Sequence, residues 1–155
     1  MGYSTGGDVA LLLQARNPMV DLVVGLDPSW ALGSDNDVRD SPFLDPDRHH
    51  VPIAVLRRPR DPEADALLRR LDRVPRLVAE VPGGDHGTFS DDTVQRHLLG
   101  IGPSEAAARH RQVVRAVAEI LEVVLVNGEA LDGAGLTARL WDQGLEVATR
   151  PRRRR

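Results

Sequence analysis

The chain has 155 residues, a formal net charge of −3 and no cysteine, a composition that is ordinary for one globular domain. The lack of cysteine excludes disulfides, thiolate metal sites and a thiol nucleophile, and an aromatic content of 3% argues against a stacking platform for nucleic acid. No apolar run reaches the ~20 residues of a membrane span. Because no signal peptide begins the sequence either, we expect a cytoplasmic protein with no membrane partner, unless an export signal precedes Met1.

The first candidate site lies four residues from the start of the chain. The segment GYSTG fits the G-x-S-x-G pattern, in which a strand turns sharply into a helix and presents a serine hydroxyl at the bend. Gly2 and Gly6 are expected to let the strand and the helix approach closely. Such an elbow needs a strand before it, and only three residues precede Ser4. The sequence therefore predicts a nucleophile whose supporting strand is missing.

Three segments further along the chain predict strands of a parallel sheet, over residues 22–26, 51–56 and 76–81, and the first of them is a short continuous apolar run. The Asp- and Pro-rich residues 29–50 are predicted to form a long loop that roofs the site with Trp30 and Phe43. Predicted helices alternate with the strands. They comprise one over residues 6–16 with an apolar stripe of Val9, Leu11, Leu12 and Leu13, one from Asp61 and Pro62 with Leu67, Leu68 and Leu71 inward, one from a Ser104 cap to about residue 126 with Val113, Val114, Val117, Ile120, Leu121 and Val124 inward, and a short one near residues 136–143.

This alternation of strands and helices predicts an α/β fold with a parallel sheet. Right-handed crossovers bring the carboxyl ends of parallel strands to one edge, where open α/β sheets bind their ligands. Asp27, Asp61 and His86 follow the three predicted strands, and Ser4 would follow the missing one. We therefore expect these four side chains to meet at that edge.

A serine, an acid and a histidine in this chain order suit nucleophilic catalysis. A serine hydroxyl becomes a nucleophile when a histidine takes its proton, and a carboxylate fixes the tautomer of that histidine. The order Ser4, then Asp27 or Asp61, then His86 is the order found in α/β-hydrolases. The main-chain N–H of Thr5, directly after the serine, is the candidate oxyanion donor.

Three stretches, GYSTGGDVALLLQARNPMVDLVVGLDPSW, VPIAVLRRPRD and VPGGDHGTFSDD, resemble the C-terminal half of an α/β-hydrolase. The similarity is greatest to the dienelactone-hydrolase-like and platelet-activating-factor-acetylhydrolase-like branches and covers residues 2–125. The resemblance implies that Ser4 is the nucleophile and His86 the catalytic histidine. In acetylhydrolase-like members the acid follows the strand after the elbow helix, which implies Asp27. In many other α/β-hydrolases it follows the next strand, which implies Asp61.

Asp27 is the favoured acid, because its short apolar strand abuts the elbow and would bury and fix the carboxylate. Asp61 lies among arginines and has an alternative role as the N-cap of its helix, so the choice stays open. No metal site and no cofactor are expected. The remaining histidines are predicted to be structural or solvent-facing: His49, His50, His97 and His110.

The predicted organisation is the C-terminal part of an α/β-hydrolase domain over residues 1–126, a terminal helix or extension over residues 127–149 and a disordered arginine-rich tail over residues 150–155. A short basic tail on an acidic chain is typical of a solvated end, so no nucleic-acid partner is expected. We expect a serine hydrolase that cleaves a small-molecule ester or lactone through an acyl-enzyme intermediate. Because the earlier strands and a second oxyanion donor are missing, weak or no activity is expected of this chain. The alternative is a degenerate hydrolase fragment without catalytic function, and the oligomeric state stays open.

Overall fold

The computed structural model of the protein describes residues 1–29, 38, 41–59 and 66–150. Within these ranges the chain forms five strands and five α-helices. In chain order they are β1 (Gly2–Tyr3), α1 (Thr5–Gln14), β2 (Val23–Leu26), β3 (Ile53–Arg57), α2 (Ala66–Arg70), β4 (Arg76–Glu80), α3 (Asp92–Leu98), α4 (Ser104–Leu121), α5 (Ala134–Asp142) and β5 (Glu146–Arg150). Two 3₁₀ turns, Pro46–Arg48 and His86–Phe89, and a π-helical turn, Glu122–Val126, lie between these elements.

The strands form one sheet in the order β1-β2-β3-β4-β5. The first four strands run parallel, and β5 pairs antiparallel with β4. The predicted α/β architecture with a parallel sheet is therefore confirmed in its broad outline, and the structure adds a strand at each edge. β1 has only two residues, yet its pairing with β2 supplies the strand before Ser4 that the sequence was expected to lack.

Helices cover both faces of the sheet, which explains the continuous apolar runs of the inner strands. Successive residues of a strand point to opposite faces. In β3, Ala54 and Leu56 pack in the core layer that contains α4 and α5, whereas Ile53 and Val55 pack in the layer that contains α1 and α2. The two apolar layers hold the strands in register, and the charged residues of the inner parallel strands lie at their ends, as Arg57, Arg76 and Glu80 do.

The face that α1 turns to the sheet differs from the predicted one. Leu11 of the predicted apolar stripe is buried, whereas Val9 and Leu13 are 59% and 51% exposed, so the stripe is right for Leu11 and wrong for these two residues. Gly7 approaches Pro28 so closely that a Cβ at this glycine would lie 2.6 Å from the proline Cβ. This contact sets the rotation of the helix about its axis. Three residues of α1 are buried as a result: Gly7, Leu11 and Gln14.

The long helix α4 also departs from its prediction. Pro103 rather than Ser104 occupies the N-cap position, and no side chain caps the helix. Val113, Val117 and Ile120 are buried as predicted, whereas Val114 is 53% exposed. His110, one of the histidines predicted to be structural or solvent-facing, is buried, and its Nδ1 donates to Thr88 O at 3.0 Å. The α-helix ends earlier than predicted and passes into the π-helical turn. The buried histidine thereby anchors the loop that follows β4.

The C-terminal part of the chain ends in a strand that the sequence did not reveal. The short helix predicted near residues 136–143 is present as α5, but a strand rather than a helical extension follows it. Arg150 is the last residue of β5 and not the start of a tail, and residues 151–155 lie outside the described residues. Over the ranges that the structure describes, no helix combines the length and the apolar character that a membrane crossing requires.

A buried histidine at the end of α1 makes the fold sensitive to acid. His49 is 3% exposed, and its Nδ1 is hydrogen-bonded to the side-chain amide nitrogen of Gln14. The other ring nitrogen, Nε2, is buried without a hydrogen-bond partner in the described part of the chain. Because a charged imidazolium is poorly solvated there, burial lowers the pKa of His49 from 6.5 to about 4.

We expect the free energy of unfolding to fall by about 2–3 kcal/mol between pH 7 and pH 4.5, because the unfolded chain binds a proton at His49 that the folded chain does not. The folded pKa is depressed, so the full stability is present above pH 6.5 and is lost as the pH falls toward 4. Urea unfolding across this range measures the effect. His49→Gln should flatten the dependence of the unfolding free energy on pH. His50→Gln, at the exposed neighbouring residue, should leave this dependence unchanged. An unaltered pH dependence in His49→Gln contradicts the assignment of the effect to His49.

Candidate active site

The carboxyl ends of β1 and β2 lie side by side, with Tyr3 level with Leu26 in the register. Ser4 and Asp27 are therefore the next residues along the two strands. Both have positive φ angles, 53° and 40°, which residues with a side chain rarely adopt. Two sharp bends thus place a hydroxyl group and a carboxylate after neighbouring strands of the sheet.

The bend at Ser4 is the junction between β1 and α1. Its main-chain N–H donates to Leu26 O at 3.0 Å, and its carbonyl oxygen accepts from Gly7 N at 2.9 Å. These bonds hold the backbone at φ 53° and ψ −127°. The Ser4 side chain is half-buried, and its hydroxyl makes no hydrogen bond to any described residue. The oxygen is therefore not engaged in holding the fold.

Two glycines make this bend possible. A Cβ at Gly2 would lie 2.0 Å from Gly6 O, and one at Gly7 would lie 2.6 Å from Pro28 Cβ. A Cβ at Gly6 would meet nothing within 4 Å. The expectation that Gly2 and Gly6 allow the close approach is therefore right for Gly2 and wrong for Gly6, and Gly7 has that role instead.

Asp27 is completely buried and contacts His86 directly. The carboxylate Oδ2 accepts from His86 Nδ1 at 2.6 Å, although 59 positions separate the two residues in sequence. The main-chain N–H of Asp27 donates to Leu56 O at 2.7 Å, which ties this bend to β3. Because Nδ1 carries the proton in this hydrogen bond, Nε2 of a neutral His86 keeps a lone pair. His86 can therefore accept a proton at Nε2, in a tautomer that the buried carboxylate fixes.

The loop after β4 holds His86 through a local cap. Asp85 precedes the 3₁₀ turn, and its carboxylate accepts from the main-chain N–H of Thr88 at 2.9 Å. The Thr88 hydroxyl accepts in return from the main-chain N–H of Asp85 at 3.0 Å. Asp85 is therefore engaged as a capping residue, and its neighbour His86 turns toward Asp27 with a side chain that is 37% exposed.

Arg58 is a second partner of the buried carboxylate, and sequence reasoning missed it. Its Nε lies 3.4 Å from Asp27 Oδ2, and its main-chain N–H donates to Oδ1 at 3.4 Å. A cation at this position offsets the burial of a negative charge. The available signal was the run of arginines after β3. Arg57, the first of them, instead pairs with Glu80 at 2.8 Å.

Tyr3 is the other residue of the site that sequence reasoning missed. Its ring stacks on the His86 ring, with centroids 4.8 Å apart and 29° between the planes. Its hydroxyl donates to the His86 carbonyl oxygen at 3.1 Å. Burial, together with the negative charges of Asp27 and Asp85, raises the pKa of Tyr3. The one signal in the sequence was its position directly before Ser4.

Thr5 begins α1 immediately after Ser4. The first N–H groups of a helix have no partner within the helix and carry a partial positive charge. The main-chain N–H of Thr5 is therefore suited to a developing oxyanion beside Ser4. Its side chain is exposed, and Oγ1 lies 3.5 Å from Ser29 Oγ.

The other residues predicted for the site are not brought to it by the structure. Asp61 and Trp30 lie outside the described residues. Phe43 is 53% exposed and packs against the Arg16 guanidinium at 4.5 Å, beyond the end of α1 that is remote from Ser4, so it does not line the site as predicted. Among the described residues, no three histidine, aspartate or glutamate side chains are grouped in a way that could hold a metal ion.

Comparisons with models of protein families, with curated proteins and with solved structures find no match to this chain. The chemistry of the site therefore follows from its own residues. A serine at a strained bend can act chemically as a nucleophile, and a histidine oriented by a buried aspartate can act as a base. The helix that starts after the serine adds a main-chain donor for negative charge.

Proposed function

We propose that the protein is a serine hydrolase of the α/β-hydrolase type that acts on the carboxylic ester or lactone bonds of small molecules. Ser4 Oγ attacks the carbonyl carbon while His86 Nε2 takes the hydroxyl proton. His86 then delivers this proton to the leaving alkoxide, and water hydrolyses the acyl-enzyme with the same base. Asp27 stabilises the imidazolium form, and the Thr5 N–H binds the oxyanion. These steps need no cofactor.

The observation that carries this proposal is the 2.6 Å contact between His86 Nδ1 and Asp27 Oδ2. It joins two loops that follow different strands of one sheet, and the bend at Ser4 follows the strand next to that of Asp27. The Asp27 side chain is fully buried, whereas the His86 side chain is 37% exposed. This difference favours a histidine that is accessible to a substrate over an ion pair with a purely structural role. The order of the four parallel strands also supports assignment to the C-terminal part of an α/β-hydrolase fold.

An adjoining cleft favours a small substrate with an apolar part. The cleft has a volume of about 470 Å³ and is bordered by Tyr3 and Leu26 at the carboxyl ends of their strands. Val113 and Val117 of α4 line it as well, next to the polar Asp91 and His110, whereas Ser4, Asp27 and His86 are not among its lining residues. Clefts of this size bind small molecules rather than polymers, and apolar walls suit the acyl or alkyl part of an ester.

We expect a fluorophosphonate probe to modify Ser4 of the folded chain and to leave the Ser4→Ala variant unmodified, because the probe reacts with a serine whose proton a nearby base removes. The reaction should be slow, since one main-chain donor is proposed here and the loss of a donor costs on the order of 10²–10³ in rate. Peptide mass spectrometry after long incubation measures the modification.

Ser104→Ala is the matched control, because Ser104 is an exposed serine at the start of α4 whose side chain does not cap the helix. It should be modified at Ser4 like the parent chain. A cooperative thermal melt by circular dichroism shows whether the chain is folded during the experiment. A folded chain that the probe never modifies at Ser4 contradicts the proposal and favours the non-catalytic alternative.

A further inference from the structure

Tyr3 touches the candidate base at two separate points. The stacked rings are 4.8 Å apart between centroids, and the phenol hydroxyl donates to the His86 carbonyl oxygen at 3.1 Å. One contact fixes the side chain of His86 and the other fixes its main chain. Because 83 positions separate the two residues in sequence, this double contact is a product of the tertiary fold.

The His86 ring needs such a support. Its Nδ1 is held by Asp27, but one hydrogen bond at one ring atom still allows the imidazole to rotate about the line of that hydrogen bond. The side chain is also 37% exposed, so the surrounding protein restricts it only in part. A flat ring packed on its face removes that freedom, since stacked aromatic pairs have a preferred geometry. The ring of Tyr3 lies on this face, one residue before Ser4.

We infer that Tyr3 is a positioning residue that holds the His86 imidazole against Asp27 and in fixed relation to the bend at Ser4. The part of this inference that concerns catalysis rests on the proposed function. Tyr3 and Ser4 are adjacent in the chain, so a shift of β1 moves the nucleophile and the support of the base together.

The charges around the pair are compatible with this role. Asp27, Asp85 and Arg58 are the charged groups that act on the phenol. Burial and the two carboxylates raise the pKa of Tyr3, so the hydroxyl keeps its proton and remains a donor in mildly alkaline solution. The contribution that we infer for Tyr3 is geometric, through the stacked ring and the hydroxyl bond.

The test uses the full chain with Tyr3→Phe and Tyr3→Leu. The first change removes only the hydroxyl bond, and the second also removes the stacked ring. The direct readout is the NMR signal of the His86 Nδ1 proton, assigned by its loss in His86→Gln. We expect the signal to persist with faster solvent exchange in Tyr3→Phe and to broaden beyond detection in Tyr3→Leu.

A second readout separates positioning from a general structural role. The concentration dependence of fluorophosphonate labelling gives the probe affinity and the maximal labelling rate. In Tyr3→Leu the maximal rate should fall by ~10–100-fold with little change in affinity, because small displacements of catalytic groups cost factors of this size. Tyr3→Phe should recover most of that rate. Phe89→Leu, which removes a core ring of the same loop, should lower the melting temperature without altering the His86 signal.

The outcomes distinguish this inference from the proposed function. A His86 signal that depends on Tyr3 in a chain that is never labelled supports the positioning contact and contradicts the hydrolase. Labelling at Ser4 with a His86 signal unchanged in Tyr3→Leu overturns the positioning role and leaves the hydrolase intact. If Tyr3→Leu does not fold, Tyr3→Phe decides the matter: an unchanged exchange rate of the Nδ1 proton overturns the inference.

Discussion

Replacing Asp27 by asparagine is expected to lower the rate of Ser4 labelling by a factor on the order of 10³–10⁴. The two side chains have the same shape, so the chain should still fold. In the parent chain the main-chain N–H of Arg58 donates to Asp27 Oδ1. The side-chain oxygen of the asparagine should accept this bond, which leaves its NH₂ group facing His86. The imidazole then has to carry its proton on Nε2, where it can no longer accept one from Ser4. Time-resolved mass spectrometry of the labelled peptide measures this loss.

Two other carboxylates serve as matched controls for Asp27. Asp85→Asn keeps an acceptor oxygen for the Thr88 N–H and should change the rate by less than ~10-fold, since Asp85 caps a turn and does not face the imidazole. Asp61→Asn tests the alternative acid that the sequence left open. If Asp61→Asn abolishes labelling while Asp27→Asn retains it, Asp27 is not the acid of the site.

The second large effect is expected at Gly2. Gly2→Ala should lower the free energy of unfolding by at least about 3 kcal/mol and abolish labelling, because overpacking against atoms that cannot shift is strongly destabilising. The added methyl group would lie 2.0 Å from the Gly6 carbonyl oxygen and 2.6 Å from Gly7 N. Both are main-chain atoms, so relief requires the bend between β1 and α1 to open. Urea unfolding and labelling of the same preparation measure the two consequences.

Gly6→Ala is the control for this prediction, because it adds the same methyl group four residues away in the same segment. Its Cβ meets no atom within 4 Å, and alanine is favoured over glycine in a helix by ~1 kcal/mol. The variant should be at least as stable as the parent and should be labelled at the same rate. Equal stability of Gly2→Ala and Gly6→Ala contradicts the tight bend at Ser4.

The inner part of the sheet could be predicted because its strands are buried on both faces. Such strands carry uninterrupted apolar runs, as at residues 53–56 and 77–79, and runs of this kind separated by helices indicate parallel pairing. The same logic brings the ends of parallel strands to one edge. For that reason Asp27 and His86, chosen from the sequence as partners across a long separation, lie in contact in the structure.

The edge strands could not be predicted, because little in their own residues requires a strand. Gly2–Tyr3 is too short to show any periodicity and is extended because it pairs with β2. Glu146–Arg150 begins and ends with charged residues and is held by antiparallel pairing with β4. In both cases the pairing with an adjacent strand determines the extended structure. The residues of the segment itself carry no pattern that indicates this pairing.

The details of the site escaped prediction for a related reason. The support of His86 by Tyr3, the contact of Arg58 with Asp27 and the rotation of α1 about Gly7 each depend on a close approach between distant segments. A helical pattern fixes which residues share a face, but not which of two faces meets the sheet. In α1 the close approach of Gly7 to Pro28 turns Gly7 and Leu11 toward the sheet, and the larger apolar side chains of Val9 and Leu13 stay exposed.

Ser4 occupies a backbone conformation that glycine adopts with ease and serine does not. At φ 53° and ψ −127°, a residue with a side chain raises the energy of the folded chain by on the order of 1–3 kcal/mol. The hydroxyl forms no hydrogen bond with the described residues that offsets this strain. Glycine at position 4 would therefore give a more stable protein. The serine hydroxyl does not stabilise the fold, so we expect its value to lie in what the folded protein does.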